Sequence, residues 1–301
     1  MIRQSLVFRK ELRDAIKSEV AQRTQIHQSQ IAALRALKQR LLIQDRSAGP
    51  DPLVMLAHGD SWFDYPLNGN ELSINSTDVI AQLESMGNLN PLISNVSHYG
   101  DATSDEMSWP KQQRMIDSLQ DPANWLEKGK PDAILFSGGG NDIAGNQFCI
   151  FLDYAAPGAG GLDATRFQEA LEMVKASYED LFVFRDRNAS GVPIFGHCYD
   201  FPIPNGVHPV CAGPWLLPSL TFTGWNTAQG VGILHAALSA FKLMLLDLAN
   251  VPVNNFHLID TQNTLEPSDW ANELHPYPEG FRKLAQRFVE VLRTTFGSSR
   301  I

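Results

Sequence analysis

Two residues far apart in the sequence have the types needed for nucleophilic catalysis. Ser61 lies in the turn Gly59-Asp60-Ser61, where the glycine permits a tight turn that exposes the serine hydroxyl. A serine nucleophile needs a general base, and His275, which lies in a polar segment before Pro276, is the best-placed of the eight histidines. A Gly-Asp-Ser turn is common by itself, so its meaning depends on the residues that accompany it.

Attack by a serine on a carbonyl group also requires hydrogen-bond donors for the negative charge that develops on the carbonyl oxygen. Gly100 could offer a main-chain N–H at a place where a side chain would obstruct the substrate, and Asn141 could offer its carboxamide. The alternative for Gly138–Gly140 is a flexible turn or a phosphate-binding loop. The phosphate alternative is weakly supported, because no Lys-Ser/Thr pair follows and the dinucleotide spacing is missing.

The other histidines and the cysteines indicate no metal site. We expect His58 and His98, at the ends of predicted strands, to make local contacts, and His197 to lie in the interior. The sequence predicts neither a metal nor a cofactor. His208 and the three cysteines (Cys149, Cys198, Cys211) have no metal-ligand spacing. Cys198 and Cys211 are expected to be free thiols, and a disulfide between them in an exported protein is the alternative.

Beyond residue 50, short β-like runs alternate with helical stretches, which is the pattern of an α/β fold. Two of the strands are near-continuous apolar runs, which predicts a parallel sheet with helices on both faces. The candidate catalytic residues follow strands, so the carboxyl ends of the strands would bring them to one edge of the sheet. The predicted strands are residues 53–58, 92–97, 132–137, 193–199 and 256–260, and the predicted helices are residues 77–86, 104–119, 163–188, 228–248 and 279–295.

Together these motifs resemble the four ordered blocks of the SGNH hydrolases, the GDSL-type esterase and lipase superfamily. Gly59-Asp60-Ser61 resembles the first block, Gly100 the second, Gly139-Gly140-Asn141-Asp142 the third and His275-Pro276 the last. The resemblance covers residues 53 to about 296 and implies a flavodoxin-like three-layer α/β/α fold with a five-stranded parallel sheet. It also implies that Ser61 is the nucleophile, that His275 is the base, and that the amides of Ser61 and Gly100 and the Asn141 side chain bind the oxyanion.

The last block departs from the family pattern, which has an aspartate three residues before the histidine. This chain has Asn272 there, and an amide in place of the acid costs a serine protease about 10⁴-fold in turnover by imposing the wrong histidine tautomer. We therefore expect Asp269, six residues before His275, to orient the histidine. Asp260 is a weaker candidate, Glu273 is expected to point elsewhere, and a dyad in which Asn272 or a main-chain carbonyl accepts from the histidine is the remaining alternative.

Aromatic residues beside the nucleophile and one long loop supply candidate substrate contacts. Trp62 and Phe63 could stack on an acyl chain or a sugar ring, although adjacent aromatic residues more often pack in a core. Residues 201–225 are rich in Pro, Gly and Trp and form a segment too long for a plain connector. This segment predicts a binding loop or lid, with Trp215 as a substrate contact.

The first 46 residues differ in charge from the rest of the chain. The 301 residues carry a formal net charge of −9, but residues 1–46 hold ten Lys/Arg against four Asp/Glu, leaving 14 Lys/Arg against 29 Asp/Glu elsewhere. Apolar residues recur at helical spacing from residue 11 to residue 42, which predicts a long amphipathic helix. We expect a basic extension, residues 1–46, docked on a catalytic domain, residues 51–301. Contact with a partner or a second copy, and contact with an anionic membrane, are the alternatives.

The composition also limits the compartment, the partners and the function. An acidic total disfavours nucleic acid as a partner, and no apolar run approaches the roughly 20 residues of a membrane span. The N-terminus lacks the apolar core of a secretion signal, so we expect a cytoplasmic protein. The predicted function is that of a serine esterase, which hydrolyses small acyl or sugar O-acetyl esters through an acyl-enzyme intermediate. Since Asn272 replaces the acid, the alternative is a catalytically idle member of the fold that binds a glycan or a protein.

Overall fold

A single parallel sheet of five strands, in the order β2-β1-β3-β4-β5, forms the centre of the computed structural model of this chain. The structure describes residues 2–47, 49–66, 77–145, 147–207 and 213–301, with side chains from residue 14 onward. All five predicted strands are confirmed, each end within two residues of its predicted position. The strands are β1 (Val54–Gly59), β2 (Leu92–Asn95), β3 (Ala133–Ser137), β4 (Ile194–His197) and β5 (Phe256–Ile259).

Helices cover the sheet in two groups, with α2 against α9 and with α6 against α3, α4 and α8. Every residue of β1, β3 and β4 is buried, because these central strands are covered on both faces. The α/β fold with an N-terminal helix is therefore confirmed. The helices are α1 (Ile2–Ile43), α2 (Val79–Leu83), α3 (Thr103–Glu106), α4 (Trp109–Gln120), α5 (Gly140–Ile143), α6 (Ala164–Asn188), α7 (Leu217–Phe222), α8 (Thr227–Ala249) and α9 (Pro278–Phe296).

The helix predicted over residues 104–119 is two helices in the structure. The helix is interrupted at Met107 and Ser108. Helix α4 then begins with Pro110 in its first turn, where the N–H that proline lacks would have no partner within the helix. The short helices α5 and α7 have no counterpart among the predicted elements. Both are of six residues or fewer, which is too short for a periodic apolar pattern to develop.

The long helix α1 docks on the body of the protein. It contacts the edge strand β2 and the 3₁₀ turn Pro122–Asn124, and it buries Val20 and Ile31 in the core. Ile26 and Leu37 belong to the predicted apolar stripe but are about half exposed. At the first of these positions the neighbouring residue, His27, is the one on the buried face. His27 is buried and its Nε2 lies 2.8 Å from the Asn124 carbonyl oxygen.

Helix α8 is, by length and composition, apolar enough to cross a membrane, contrary to the expectation that no segment is. One face of the helix lies in the core and packs against α6 and β5, while Leu243 and Leu246 on the other face are exposed. A buried core helix satisfies the same criteria, so this feature is weak evidence for a membrane span.

Candidate active site

Four segments at the carboxyl edge of the sheet carry the candidate catalytic residues. Ser61 follows β1, Gly100 follows β2, Asn141 lies in α5 after β3, and His275 lies in the connection between β5 and α9. The turn at Ser61 depends on Gly59, because a Cβ there would lie 2.4 Å from the Ser137 carbonyl oxygen on β3. The sheet thus brings together residues that are as far apart as positions 61 and 275.

Ser61 and His275 form a hydrogen-bonded pair. The Oγ of Ser61 lies 2.7 Å from Nε2 of His275, and both residues are buried. Burial lowers the pKa of His275 to about 3, so its imidazole is neutral over the physiological range. A neutral imidazole with its Nε2 beside a serine hydroxyl has the arrangement of a general base and its nucleophile.

Asn272 orients the imidazole from the other side. Its Oδ1 lies 3.2 Å from Nδ1 of His275 and accepts the main-chain N–H groups of Leu274 and His275, each at 2.9 Å. Its Nδ2 donates to the hydroxyl of Tyr65 at 3.3 Å. Because only an oxygen can accept those two main-chain donors, the amide has one consistent orientation. Nδ1 of His275 therefore carries the proton, and Nε2 is free to accept one.

The prediction that Asp269 orients His275 is wrong, because the Asp269 carboxylate is bound elsewhere. Both carboxylate oxygens of Asp269 contact Nζ of Lys283, at 2.8 and 2.7 Å, and one of them also accepts the Glu266 N–H. Lys283 lies on α9, and its contact could not be read from the spacing of residues around the histidine. Asp260 also points away, since it pairs with Lys242 at 2.6 Å.

Glu273 is a buried anchor for the long loop that follows β4. Its carboxylate accepts four main-chain N–H groups, two on each oxygen. It points away from His275, as expected, but the sequence does not predict its role as an anchor. The two oxygens bind the amides of Gly206, Trp215, Leu216 and Leu217, at distances from 2.5 to 3.1 Å.

The candidate oxyanion donors lie around the same edge. The main-chain N–H groups of Ser61 and Gly100 have no acceptor among the described residues, so both are available to a ligand. Asn141 uses one N–H of its carboxamide to bind the Asp101 carbonyl oxygen at 2.8 Å, which fixes the side chain toward the loop after β2. Asp142 accepts the Thr103 main-chain N–H at 2.8 Å and thereby holds α3 against α5.

The glycines before Asn141 allow close packing. A Cβ would lie 2.3 Å from a Glu106 carboxylate oxygen at Gly138, 2.5 Å from the ring of Phe241 at Gly139, and 2.8 Å from the ring of Tyr199 at Gly140. This crowding accounts for the three glycines by packing, without a flexible turn or a phosphate ligand.

Behind the nucleophile lies a buried network centred on Asp60. The carboxylate accepts the hydroxyl of Tyr199 at 2.5 Å, the hydroxyl of Ser137 at 2.7 Å and the main-chain N–H of Trp62 at 3.0 Å. Burial raises the pKa of Asp60 to about 6. His197 lies in the interior, as expected, with Nε2 2.8 Å from the Ser137 hydroxyl. These contacts hold the turn that presents Ser61.

A small cavity opens at Ser61 and His275. Trp62 lines it, donates from Nε1 to the Leu274 carbonyl oxygen at 3.2 Å, and so joins the nucleophile turn to the histidine loop. Phe63 does not face the cavity: it is fully buried and stacks on His197, so the prediction of a substrate contact is wrong. The remaining apolar wall consists of Ala144, Pro202, Leu238, Trp270 and Leu274.

Trp215 lies beside His275. Its ring is edge-on to that of His275, with centroids 5.8 Å apart, and its main-chain N–H donates to the Glu273 carboxylate.

His58 makes the local contact expected of it, with Nε2 2.9 Å from the Glu106 carbonyl oxygen. Cys198 is buried, whereas His208 and Cys211 lie outside the described residues.

Residues 59–288 match the family model described as GDSL-like Lipase/Acylhydrolase. The chain belongs to the GDSL-like lipase/acylhydrolase family. The matched segment contains all the candidate catalytic residues and excludes α1. Membership in the GDSL-like family places the chain among hydrolases of the esterase and lipase type, and it confirms the resemblance seen in the sequence motifs.

Solved structures similar to this GDSL-like chain include the lipase Lip_vut3 from a goat rumen metagenome, with a TM-score of 0.53 and 15% identity over 79% of this chain and 96% of that one. The extracellular lipase from Streptomyces rimosus has a TM-score of 0.47 and 16% identity, over 80% and 98% of the two chains. A family two carbohydrate esterase from Clostridium thermocellum, in complex with cellohexaose, has a TM-score of 0.44 and 13% identity, over 84% and 67%. Among curated proteins there is no match.

Proposed function

We propose that this protein is a serine esterase that hydrolyses short acyl esters through an acyl-enzyme intermediate. One observation carries the proposal: the Ser61 hydroxyl lies 2.7 Å from Nε2 of His275 while Asn272 accepts from Nδ1 of the same ring. In this arrangement the base is in the tautomer that can remove the serine proton. The amides of Ser61 and Gly100, which meet no acceptor in the described part of the chain, and the carboxamide of Asn141 support the assignment of the oxyanion site.

In the proposed reaction, Ser61 Oγ attacks the carbonyl carbon of the ester while its proton passes to Nε2 of His275. The carbonyl oxygen becomes an oxyanion, which the three N–H donors bind. Collapse of this intermediate breaks the bond to the alcohol, which leaves with the proton from the imidazolium. Water, deprotonated by the same imidazole, then attacks the acyl-enzyme, and the reaction releases a carboxylic acid and restores Ser61.

The walls of the cavity favour a small, uncharged acyl group. The cavity is small, and its lining beyond Ser61 and His275 is largely apolar, with Trp62, Leu238 and Trp270 among the walls. The acidic body of the protein repels anionic substrates at long range. Acetyl esters, including O-acetyl groups of sugars, fit both conditions, and the half-buried Trp215 offers an aromatic face for a sugar ring.

Replacement of the reacting residues tests the proposal. Ser61→Ala and His275→Ala should each lower the hydrolysis of p-nitrophenyl acetate by at least about 10³-fold, because each removes a group that the chemistry requires. The measurement is steady-state turnover of the purified variants, with the melting temperature as a check on folding.

A serine-reactive fluorophosphonate probe gives an independent readout. It should label the wild-type protein at Ser61, as located by peptide mass spectrometry, and should label neither Ser61→Ala nor heat-denatured protein. Unchanged turnover in Ser61→Ala, or no labelling of the wild type above the denatured control, would contradict the proposed function and favour an idle binding protein.

A further inference from the structure

Helix α1 lies outside the segment that matches the GDSL-like family, yet one of its side chains contacts two segments that lead into the candidate active site. Arg23 places Nη1 against a carboxylate oxygen of Asp64 and donates from Nη2 to the Ser97 carbonyl oxygen at 2.8 Å. Asp64 is three residues after the nucleophile, and Ser97 is three residues before Gly100. The guanidinium therefore joins the segment that carries Ser61 to the segment that carries a proposed oxyanion donor.

Both segments are arranged so that this contact bears on the catalytic turn itself. The main-chain N–H groups of Phe63 and Asp64 donate to the Asp60 carbonyl oxygen, at 3.0 and 3.1 Å, and these bonds close the turn that contains Ser61. On the other side, the His98 N–H donates to the Gly59 carbonyl oxygen at 2.9 Å. One rigid, planar guanidinium holds both Asp64 and the Ser97 carbonyl group. It therefore restricts movement of the segment that carries Ser61 relative to the segment that carries Gly100.

The contact is sheltered from solvent. The side chain of Arg23 is 27% exposed and that of Asp64 is 16% exposed. A forked arginine contact in such a place holds its partners more firmly than a solvated surface ion pair. Arg35, on the same helix, makes a comparable pair of contacts far from the site, donating to the carbonyl oxygens of Pro122 and Trp125.

We propose that α1 is part of the apparatus that positions the nucleophile, and that Arg23 is the positioning residue through which it acts. The inference rests on the proposed function, because it assigns Arg23 to the geometry of the Ser61 turn and the Gly100 loop. It predicts that loss of the guanidinium lowers the rate of the chemical step more than it lowers the affinity for substrate.

Arg23→Met and Arg35→Met form a matched pair, since each removes a guanidinium with two acceptors from α1. We expect Arg23→Met to lower kcat by about tenfold, with KM changed less than twofold, because small displacements of reacting groups are costly. Arg35→Met should keep kcat within about twofold of the wild type. Arg23→Lys should fall between, because an ammonium can hold Asp64 but cannot fork to Ser97 as well.

A double variant and hydrogen exchange separate positioning from general destabilisation. Asp64→Asn combined with Arg23→Met should reduce kcat no further than either change alone, since both break one contact. Amide exchange should quicken in residues 60–64 and 97–101 in Arg23→Met, and in residues 121–126 in Arg35→Met. Equal loss of kcat in the two methionine variants, or unchanged exchange at residues 60–64 in Arg23→Met, would overturn the proposal.

The two proposals fail in different ways. If the wild type hydrolyses no ester and the fluorophosphonate leaves Ser61 unlabelled, the proposed function fails, while the exchange measurement still decides whether Arg23 fixes the turn. If Ser61 labels and wild-type turnover is normal, but Arg23→Met is as active as wild type, only the assignment of Arg23 fails.

Discussion

Asn272 orients His275 with a neutral carbonyl oxygen, whereas the family pattern supplies a carboxylate. The usual penalty of an amide at this place is the wrong histidine tautomer, and here that penalty does not arise. Two main-chain donors, the N–H groups of Leu274 and His275, hold Oδ1 toward the ring. What an amide does not supply is negative charge, so the imidazolium formed during the reaction lacks an ionic partner at Nδ1.

Asn272→Asp should therefore change the pH dependence of hydrolysis. The base is the neutral imidazole, and burial lowers the His275 pKa to about 3, so wild-type kcat/KM should persist below pH 6.5 and fall only as the pH approaches that pKa. A carboxylate at Nδ1 favours the imidazolium and raises this pKa, which should move the acidic limb upward by about one unit or more. The profile of kcat/KM between about pH 2.5 and 9, with the folded state checked at each pH, measures the shift.

Asp269→Asn is the control for this substitution. It removes a carboxylate from the same loop, but that carboxylate binds Lys283 and not the imidazole, so the acidic limb should stay where it is in the wild type. A limb that moved in Asp269→Asn and not in Asn272→Asp would restore the aspartate six residues before His275 as the orienting group.

Among the elements, those with long-range regularity could be predicted and those held by side-chain contacts could not. Composition and periodicity predict the five apolar strands and the long helices. The order of these elements places four residues at one edge of the sheet: Ser61, Gly100, Asn141 and His275. The sequence predicts the wrong partner for Nδ1 of His275, Asp269 in place of Asn272, because that partner depends on how a loop without regular structure folds back on itself. The burial of Phe63 depends on packing between distant elements, which a local pattern does not contain.

The loop after β4 should depend on Glu273. In Glu273→Gln one oxygen becomes an amide nitrogen, which cannot accept, so two main-chain N–H groups in a partly buried loop lose their partner. We expect the free energy of unfolding to fall by about 2–4 kcal/mol and amide exchange to quicken in residues 201–217. Urea denaturation and hydrogen exchange measure the two effects.

Glu279→Gln makes the same chemical change at an exposed position, where the side chain pairs only loosely with Arg282 at 3.5 Å. It should change the free energy of unfolding by less than about 0.5 kcal/mol. If the two glutamine variants were equally stable, Glu273 would not be the anchor of the loop.

At the scale of the whole molecule, the basic helix α1 forms ion pairs with the acidic remainder of the chain. Basic residues of α1 meet acidic residues of the body: Arg23 meets Asp64, and Lys38 lies 3.0 Å from Asp51 and 3.1 Å from Glu127. Exposed pairs such as Lys38–Glu127 contribute little stability. We therefore expect the burial of apolar side chains such as Ile31 to supply much of the docking energy.

Two isoleucines on α1 test this view. Ile31 is fully buried and Ile26 is 55% exposed, five residues away on the same helix. Ile31→Ala should lower the free energy of unfolding by about 2–4 kcal/mol, because it leaves a cavity in the core. Ile26→Ala should lower it by less than about 0.5 kcal/mol. Urea titrations of both variants give the comparison, and similar losses would mean that α1 is not docked through this face.

Helix α1 also lies along β2, which pairs only with β1 among the described residues and so ends the sheet on that side. An uncovered edge strand is a template on which a second molecule can add its own strand, the first step toward aggregation. The helix occupies that place with a surface of charged side chains facing outward. The helix therefore hinders strand addition at this edge of the sheet, while β5 forms the opposite edge.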